Sequence, residues 1–319
     1  MPIELREKLE RQGYHLLGKR GAYKACQWQK KSLVYGDVCY KQKFYGIESH
    51  RCLQMTPVVD KCTQTCSFCW RVTPHDIGIT WDQTSVSRED VVAVDELMDA
   101  VLMANLRSLG GYNPDAGADV SRNKYLEARE PRHVAISLAG EPTLYPLISE
   151  LIDEVHNRGM TSFLVTNGTR PNVLREMTEP TQLYVTLAAP DEKTYKTLCR
   201  PGIKDGWQNI LESQEVLRTL STRTVNRLTM VARENMHSPR KYSDLILRGE
   251  PDFVEVKGYM FLGSSRGRLA SENAPSHRDI RAFSKKLADL TGYYLVDEQI
   301  ESRVVLLSQS KDIKKIQTL

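Results

Sequence analysis

Apolar and polar positions alternate in a way that divides most of this chain into short strands and longer amphipathic helices. The runs HVAISLAG (133–140), TSFLVTNG (161–168), QLYVTLAA (182–189), TVNRLTMVA (224–232), DFVEVKGYMFLG (252–263) and ESRVVLLSQ (301–309) predict strands. Between them, LYPLISELIDEVHNRG (144–159) repeats its apolar residues every three to four positions and ends on glycine, which predicts a helix. WQNILESQEVLRTL (207–220) reads the same way, as do short stretches near 171–177, 239–248 and 276–290. Strands alternating with helices imply βαβ units and a parallel sheet. Five or six such units suggest a full or partial barrel, with its chemistry at the C-terminal ends of the strands. MPIELREKLERQGYHLLGKR opens the chain as a charged helix, and residues 1–50 are expected to hold little other regular structure. Residues 110–132 read as an inserted loop, and no internal repeat is present.

The bulk numbers change this picture little. A length of 319 residues allows two domains or one α/β barrel. Hydrophobic residues at 40% and charged residues at 26% suit a globular protein with a sizeable core. A net charge of +4 fits an anionic ligand or nucleic acid without requiring one. The sequence has no leader and no apolar run near the roughly 18 residues of a membrane span, so a cytoplasmic protein with no membrane partner is expected. The cysteines say more. There are seven, at 26, 39, 52, 62, 66, 69 and 199, and six of them fall in the first quarter of the chain. In a reducing compartment such a cluster points to metal rather than to disulfides.

The segment DKCTQTCSFCW (60–70) packs three thiols with C-x3-C-x2-C spacing. Structural zinc takes four tetrahedral ligands, and His75 is a possible fourth, but zinc sites usually join two separated pairs. An iron–sulfur cubane also takes four, and three cysteines would leave one iron open to a small molecule. Three unligated thiols are the remaining alternative.

The pattern CTQTCSFC resembles the signature of radical S-adenosylmethionine (SAM) enzymes. The resemblance implies an α/β fold, a partial (β/α)6 barrel of the TIM-like radical SAM type with an N-terminal cysteine-rich extension. It implies a [4Fe–4S] cluster on Cys62, Cys66 and Cys69, whose open iron chelates SAM and supports its one-electron cleavage to a 5′-deoxyadenosyl radical. LAGEPTLYP and LVTNGT are similar to the cofactor-side segments of that family. They imply that Gly140, Glu141 and Pro142 serve the SAM ammonium, Thr166 and Asn167 the ribose, and Phe68 and Thr186 the same pocket.

Cys26, Cys39 and Cys52 recur with C-x12-C-x12-C spacing. They read either as small buried residues or as ligands of a second cluster. This prelude, with GIESHRCLQMTP, CSFCWR, TQLYVTLAAP, EVKGYMFLG and ESRVVLLS, resembles the archaeal branch of tRNA wybutosine-synthesising radical SAM enzymes, the 4-demethylwyosine synthases. That resemblance implies two [4Fe–4S] clusters. It also implies tRNA-Phe as substrate, through N1-methylguanosine in its anticodon loop, and pyruvate as the source of two carbons. Lys41 is the implied Schiff-base lysine, with the second cluster as an alternative or additional holder of pyruvate. No flavodoxin-like segment is seen, so an external electron donor is expected, as is a monomer.

The extension interleaves Lys24, Lys30, Lys31, Lys41, Lys43 and Arg51 with Tyr23, Trp28, Tyr35, Tyr40, Phe44 and Tyr45. Such a mixture suits phosphates and unstacked bases, or else the aromatics simply cover a cluster. Arg266 and Arg268, the tail KDIKK (311–315) and Lys257 are further candidates for RNA or site contacts. Cys199 is expected to be structural, standing far from the other thiols. Ala188, Asn226 and the pair Arg233-Glu234 depart from the family pattern, the last where glycine or an aromatic is expected. The expected organisation is an extension over 1–51, a barrel over 52–309 and a basic tail over 310–319. Two other readings stay open: a two-cluster radical enzyme acting on another RNA, a peptide or a small molecule, and a non-catalytic iron–sulfur or zinc RNA-binding module.

Overall fold

The computed structural model of the chain describes residues 1–316; of the expected basic tail, residues 317–319 lie outside the described residues. The chain divides into two compact units. One comprises residues 1–61, 85–164 and the segment from Lys314, and the other residues 62–84 and 165–313.

The first unit is built on β1 (His15–Leu17), β2 (Gly21–Tyr23), β3 (Cys52–Thr56), β4 (His133–Ile136) and β5 (Thr161–Thr166), the last through residue 164, in that spatial order. β1, β2 and β3 pair antiparallel. β3, β4 and β5 run parallel, with Cys52, His133 and Thr161 level with one another. A parallel strand is covered on both faces, which is why β4 is apolar rather than alternating and is buried throughout. The helix Ile148–Asn157 buries Ile148, Leu151, Ile152 and Val155, a stripe set by its 3–4 spacing. A longer helix, Val94–Leu109, buries Leu97, Met98, Val101, Ala104 and Leu109 in the same way and was absent from the sequence expectation.

Residues 1–50 hold more regular structure than expected. Besides the helix Ile3–Arg11 they form the β1/β2 hairpin and the helices Gln27–Val34 and Tyr40–Tyr45. These helices are too short for a 3.6-residue period to register. Their aromatics look like a nucleic-acid surface in sequence, yet Tyr40, Phe44 and Tyr45 are core residues. The expected loop at 110–132 likewise contains a helix, Arg122–Arg129, which packs Tyr125 and Ala128 with Leu33 and Leu109.

The second unit carries β6 (Gln182–Thr186), β7 (Arg223–Met230), β8 (Phe253–Gly258), β9 (Tyr294–Gln299) and β10 (Val304–Ser308), in the order β6-β7-β8-β10-β9. β6, β7 and β8 are parallel, and β10 enters antiparallel between β8 and β9. VVLLS is buried at every position because it is paired on both sides. β9 escaped prediction because its residues are mostly half-buried and its register breaks at Leu306/Leu307. The helices Pro171–Glu176, Glu192–Cys199, Gly206–Leu217, Pro239–Gly249 and His277–Thr291 follow the strands. The last begins on a reciprocal cap between Ser276 and Asp279 and stops at Gly292 in the left-handed region.

The three flagged departures each acquire a structural setting here. Arg233 has a φ of 69°, the left-handed backbone that glycine adopts without strain. Asn226 is fully buried in β7, and neither amide atom has a hydrogen-bond partner among the described residues. Ala188 is also buried, and its carbonyl accepts from Asn235 Nδ2 at 2.8 Å.

Candidate cluster-binding and lysine sites

In the second unit the cysteine loop has no regular structure of its own, so its backbone polar groups must find partners elsewhere. Thr65 N–H donates to the carbonyls of Cys199 and Arg200, both at 3.2 Å, and Ser67 N–H to Leu198 at 2.9 Å. Gly202 N–H returns a bond to Thr63 O at 2.8 Å. The loop is thereby stitched to the C-terminal end of the helix Glu192–Cys199 and the CRP segment after it. Cys62 N–H donates to Gln83 O at 2.7 Å, and a turn from Cys69 N–H to Cys66 O at 3.0 Å brings the second and third cysteines together.

Asn167 Nδ2 donates to Thr63 Oγ1 at 2.9 Å and lies 3.6 Å from Cys62 Sγ. Its amide therefore steadies the first cysteine in addition to any cofactor role. Thr166 Oγ1 accepts from Gly168 N–H at 3.1 Å. Asn167 and Thr186 line one small cavity of about 10 Å³ with Gln64, Tyr195 and Trp207, room for roughly a single water. Phe68 packs half-buried against Leu198 and Tyr259.

Arg71 was not anticipated from sequence. Its guanidinium is buried and donates to Gln64 O at 3.2 Å and Gln83 Oε1 at 3.1 Å. Burial by itself would lower its pKa, but Cys62, Cys69 and Cys66 together push it above the usual arginine value. Three sulfurs converging on one buried cation form the electrostatic setting that three thiolates need, so the donor set fits an anionic thiolate-bound centre. Cys199 is buried beside Cys66, and it and burial together raise the Cys66 thiol well above the ordinary range, while Cys66 Sγ donates to Gln64 Oε1 at 3.2 Å. The intervening 132 residues return Cys199 to the loop. Arg268, read as a possible backbone grip for RNA, is committed instead to the cysteine loop and to Asp76 at 2.8 Å.

In the first unit the other three cysteines begin elements. Cys26 precedes the helix Gln27–Val34, Cys39 precedes Tyr40–Tyr45, and Cys52 opens β3. Lys41 is buried in the second of these helices, with Nζ 5.3 Å from the centroid of the Phe163 ring. Burial pushes the Cys52 thiol up to about 12; Lys41 pulls against that, and Cys26 and Cys39 add to it. Tyr23, also raised to about 12 by burial, feels Cys26 and Cys52 as well. Lys41 and the three thiols are therefore electrostatic neighbours. The helix that carries Lys41 ends at Gly46 in the left-handed region, and Lys315 Nζ donates to the carbonyls of Lys43 and Phe44 there.

His133 is a neighbour that the sequence did not flag. It is fully buried, its Nε2 accepts from Glu48 N–H at 3.0 Å, and its Nδ1–H faces Thr161 Oγ1 at 2.7 Å. Burial, then Arg51 and Arg132, push it down to about 4, so the ring is neutral. Glu141 is buried, with Oε1 accepting from Thr143 N–H at 3.1 Å and from its hydroxyl at 2.6 Å, and its own N–H donates to Lys61 O at 2.7 Å. Pro142 starts the short helical turn that follows.

The expected basic and aromatic surface is smaller than the sequence suggests. Tyr23, Tyr40, Phe44 and Tyr45 are buried, and Tyr35 is the large aromatic of this group that is well exposed, at 75%. Arg51 is buried and donates to Glu130 O at 2.9 Å, and Lys24 donates to Gln12 O at 2.6 Å. Lys257 donates to Ser302 O at 2.9 Å. Among the described residues, no helix is long and apolar enough to cross a membrane.

Residues 56–246 match the family model of the radical SAM superfamily, and residues 248–309 match the model for wyosine base formation. The chain is 48% identical over 316 residues to the S-adenosyl-L-methionine-dependent tRNA 4-demethylwyosine synthase of Pyrococcus horikoshii, spanning 96% of this chain and 89% of that protein. It is 41% identical over 309 residues to the protein of the same name from Methanocaldococcus jannaschii, spanning 96% of each. A structure of TYW1 with a lysine–pyruvate adduct bound superposes with a TM-score of 0.87 at 37% identity, covering 99% of this chain and 98% of that one. A crystal structure of archaeal TYW1 gives 0.79 at 33% identity, with the same coverage. The α/β fold is that of the radical SAM type, as the cysteine signature implied.

Proposed function

This chain belongs to the radical SAM family of tRNA 4-demethylwyosine synthases, and from that premise we propose how its own residues divide the work. The enzyme class, SAM, one [4Fe–4S] cluster and a tRNA substrate come with the family. The finer reading is that the chain condenses pyruvate with N1-methylguanosine in the anticodon loop of tRNA-Phe. In this reading Cys62, Cys66 and Cys69 hold the first cluster, and Cys26, Cys39 and Cys52 hold a second. When bound at the first set, the cluster with SAM supplies one-electron cleavage of a sulfonium, and with it the power to break an unactivated C–H bond.

The protein's part is positional and electrostatic. Arg71 offsets the charge of the first three sulfurs, and Asn167 steadies Cys62. Phe68, Gly140, Glu141, Pro142, Thr166, Asn167 and Thr186 form the SAM side. Lys41 holds pyruvate: Nζ adds to the keto carbon, the carbonyl oxygen leaves as water, and an imine fixes the two carbons that are transferred. A buried lysine suits this role because the amine attacks through its lone pair. The target base leaves its stack to be reached, as with other base-modifying enzymes. An external donor supplies the electron, and the chain acts as a monomer in the cytoplasm. Residues 1–51 serve the second cluster and RNA, 52–309 the radical chemistry and 310–319 the RNA backbone.

The observation that carries this reading is the burial of Lys41 beside Cys26, Cys39 and Cys52. Anaerobic incubation with methylguanosine-containing tRNA, SAM, pyruvate and a reductant should yield tricyclic base by mass spectrometry. Borohydride should trap pyruvate on the wild-type chain and not on Lys41→Ala. An adduct that persists in Lys41→Ala removes that residue from the mechanism, and wild-type protein that leaves the tRNA unchanged removes the substrate assignment.

A further inference from the structure

We infer that Arg268 is a positioning residue for the cluster-binding cysteines, locking the main chain of their loop from within the segment that matches the wyosine base formation model. It rests on the reading that Cys62, Cys66 and Cys69 hold the cluster.

The argument begins with the loop's carbonyls. Residues 67–71 form no helix or strand, so their C=O groups need donors from outside. Arg268 supplies three of these. Nε donates to Ser67 O at 3.3 Å, and Nη2 donates to Cys69 O and, at 3.3 Å, to Arg71 O. Trp70 O accepts from Ser264 N–H at 3.1 Å, four residues before Arg268 along the same turn and loop. A single segment, 263–268, therefore satisfies four carbonyls around the third cysteine. Its approach is close: Gly263 has a φ of 57°, and a Cβ there would lie 2.6 Å from Trp70 O.

The guanidinium is itself held from behind. Nη1 donates to Thr73 Oγ1 at 3.1 Å and to Asp76 Oδ2 at 2.8 Å, in an ion pair whose side chains are 5% and 11% exposed. Asp76 also accepts from Thr73 N–H at 2.6 Å, so the anchor is fixed to the chain just past the loop. A planar fork with five donors can hold several acceptors in one geometry, which an ammonium cannot. A fixed cation at the Cys69 carbonyl also favours added negative charge nearby, and so the reduced form of a thiolate-bound cluster.

The full-length chain, reconstituted anaerobically with iron and sulfide, tests this. Three quantities are measured: thermal melting, the rate of iron release to a chelator, and the midpoint potential of the cluster by EPR-monitored titration. Arg268→Gln should release iron at least about tenfold faster than wild type, the equivalent of one charge-assisted hydrogen bond, and its potential should be more negative. Arg268→Lys should also release iron faster but keep a potential close to wild type, since charge remains and the fork is lost. Asp76→Asn should fall between wild type and Arg268→Gln. Wild-type release and potential in Arg268→Gln overturn the inference. If that variant does not fold, wild-type release in Arg268→Lys overturns it. A wild-type chain that takes up no iron removes the cysteine reading as well, an outcome separate from the other two.

Discussion

Replacing Gly140 by alanine puts a methyl group where the main chain leaves no room. Gly140 has a φ of 75°, and a Cβ built on it would lie 1.8 Å from Val58 O and 2.7 Å from Lys61 O. The left-handed backbone alone costs an L-residue roughly 1–2 kcal/mol. The neighbours are main-chain atoms, so relief requires the segment 58–61 to retreat, and overpacking of this kind costs about 1–3 kcal/mol. Retreat also loosens the 2.7 Å bond from Glu141 N–H to Lys61 O, worth about 1 kcal/mol. Gly140→Ala should therefore cost about 3–6 kcal/mol, a large share of the roughly 5–15 kcal/mol that a folded chain has. Melting of the full-length protein should fall by at least about 6 °C. Because residue 61 leads directly into Cys62, iron uptake on anaerobic reconstitution should fall with it. A variant that melts within about 2 °C of wild type and takes up iron normally would refute the reasoning.

Three further outcomes are expected. His133 is neutral in the folded chain with its pKa near 4, against about 6.5 unfolded, so its contribution is complete above pH 6.5 and is lost as pH falls toward 4, by about 3 kcal/mol; the urea midpoint should drop between pH 7 and 4.5, and His133→Gln should remove that part of the slope. Glu255 is fully buried and pairs with Arg227 at 3.0 Å, so Glu255→Ala should cost about 3–5 kcal/mol by denaturant melts, and adding Arg227→Met should recover much of it; an unimproved double variant would show that the stranded guanidinium is not the cause. Arg233→Gly should stabilise the chain by up to about 1 kcal/mol, because it relieves the φ of 69° and gives up only an exposed 3.8 Å ion pair to Glu272; a lower melting temperature would count against strain at that residue.

Local patterns carried much of this into view. The strands at 133, 161, 182, 223, 253 and 304 announced themselves as apolar runs, and the C-x3-C-x2-C spacing, through its resemblance to the radical SAM signature, pointed to the family that the comparisons show. Contacts over long sequence separations did not. Arg268 looked like a candidate grip on an RNA backbone, because nothing in GSSRGRL shows that the chain returns to residues 67–76. Cys199 looked isolated for the same reason, though its thiol meets Cys66. In the first 50 residues, helices of eight and six residues were too short to show a period, so buried aromatics passed for an RNA surface. The site residues most open to misreading were those whose partners sit on another element.

The sheet ends bear on how the molecule behaves in solution. An unpaired strand edge is a template for joining another chain. Here the two outermost strands are poor templates. β1 is three residues long, and β9 carries Asp297 and Glu298 beside a break in register, while the apolar VVLLS segment is enclosed on both sides. A fully buried strand is thus shielded by an acidic neighbour with a broken register, and the chain gains resistance to self-association from where it places its last two strands.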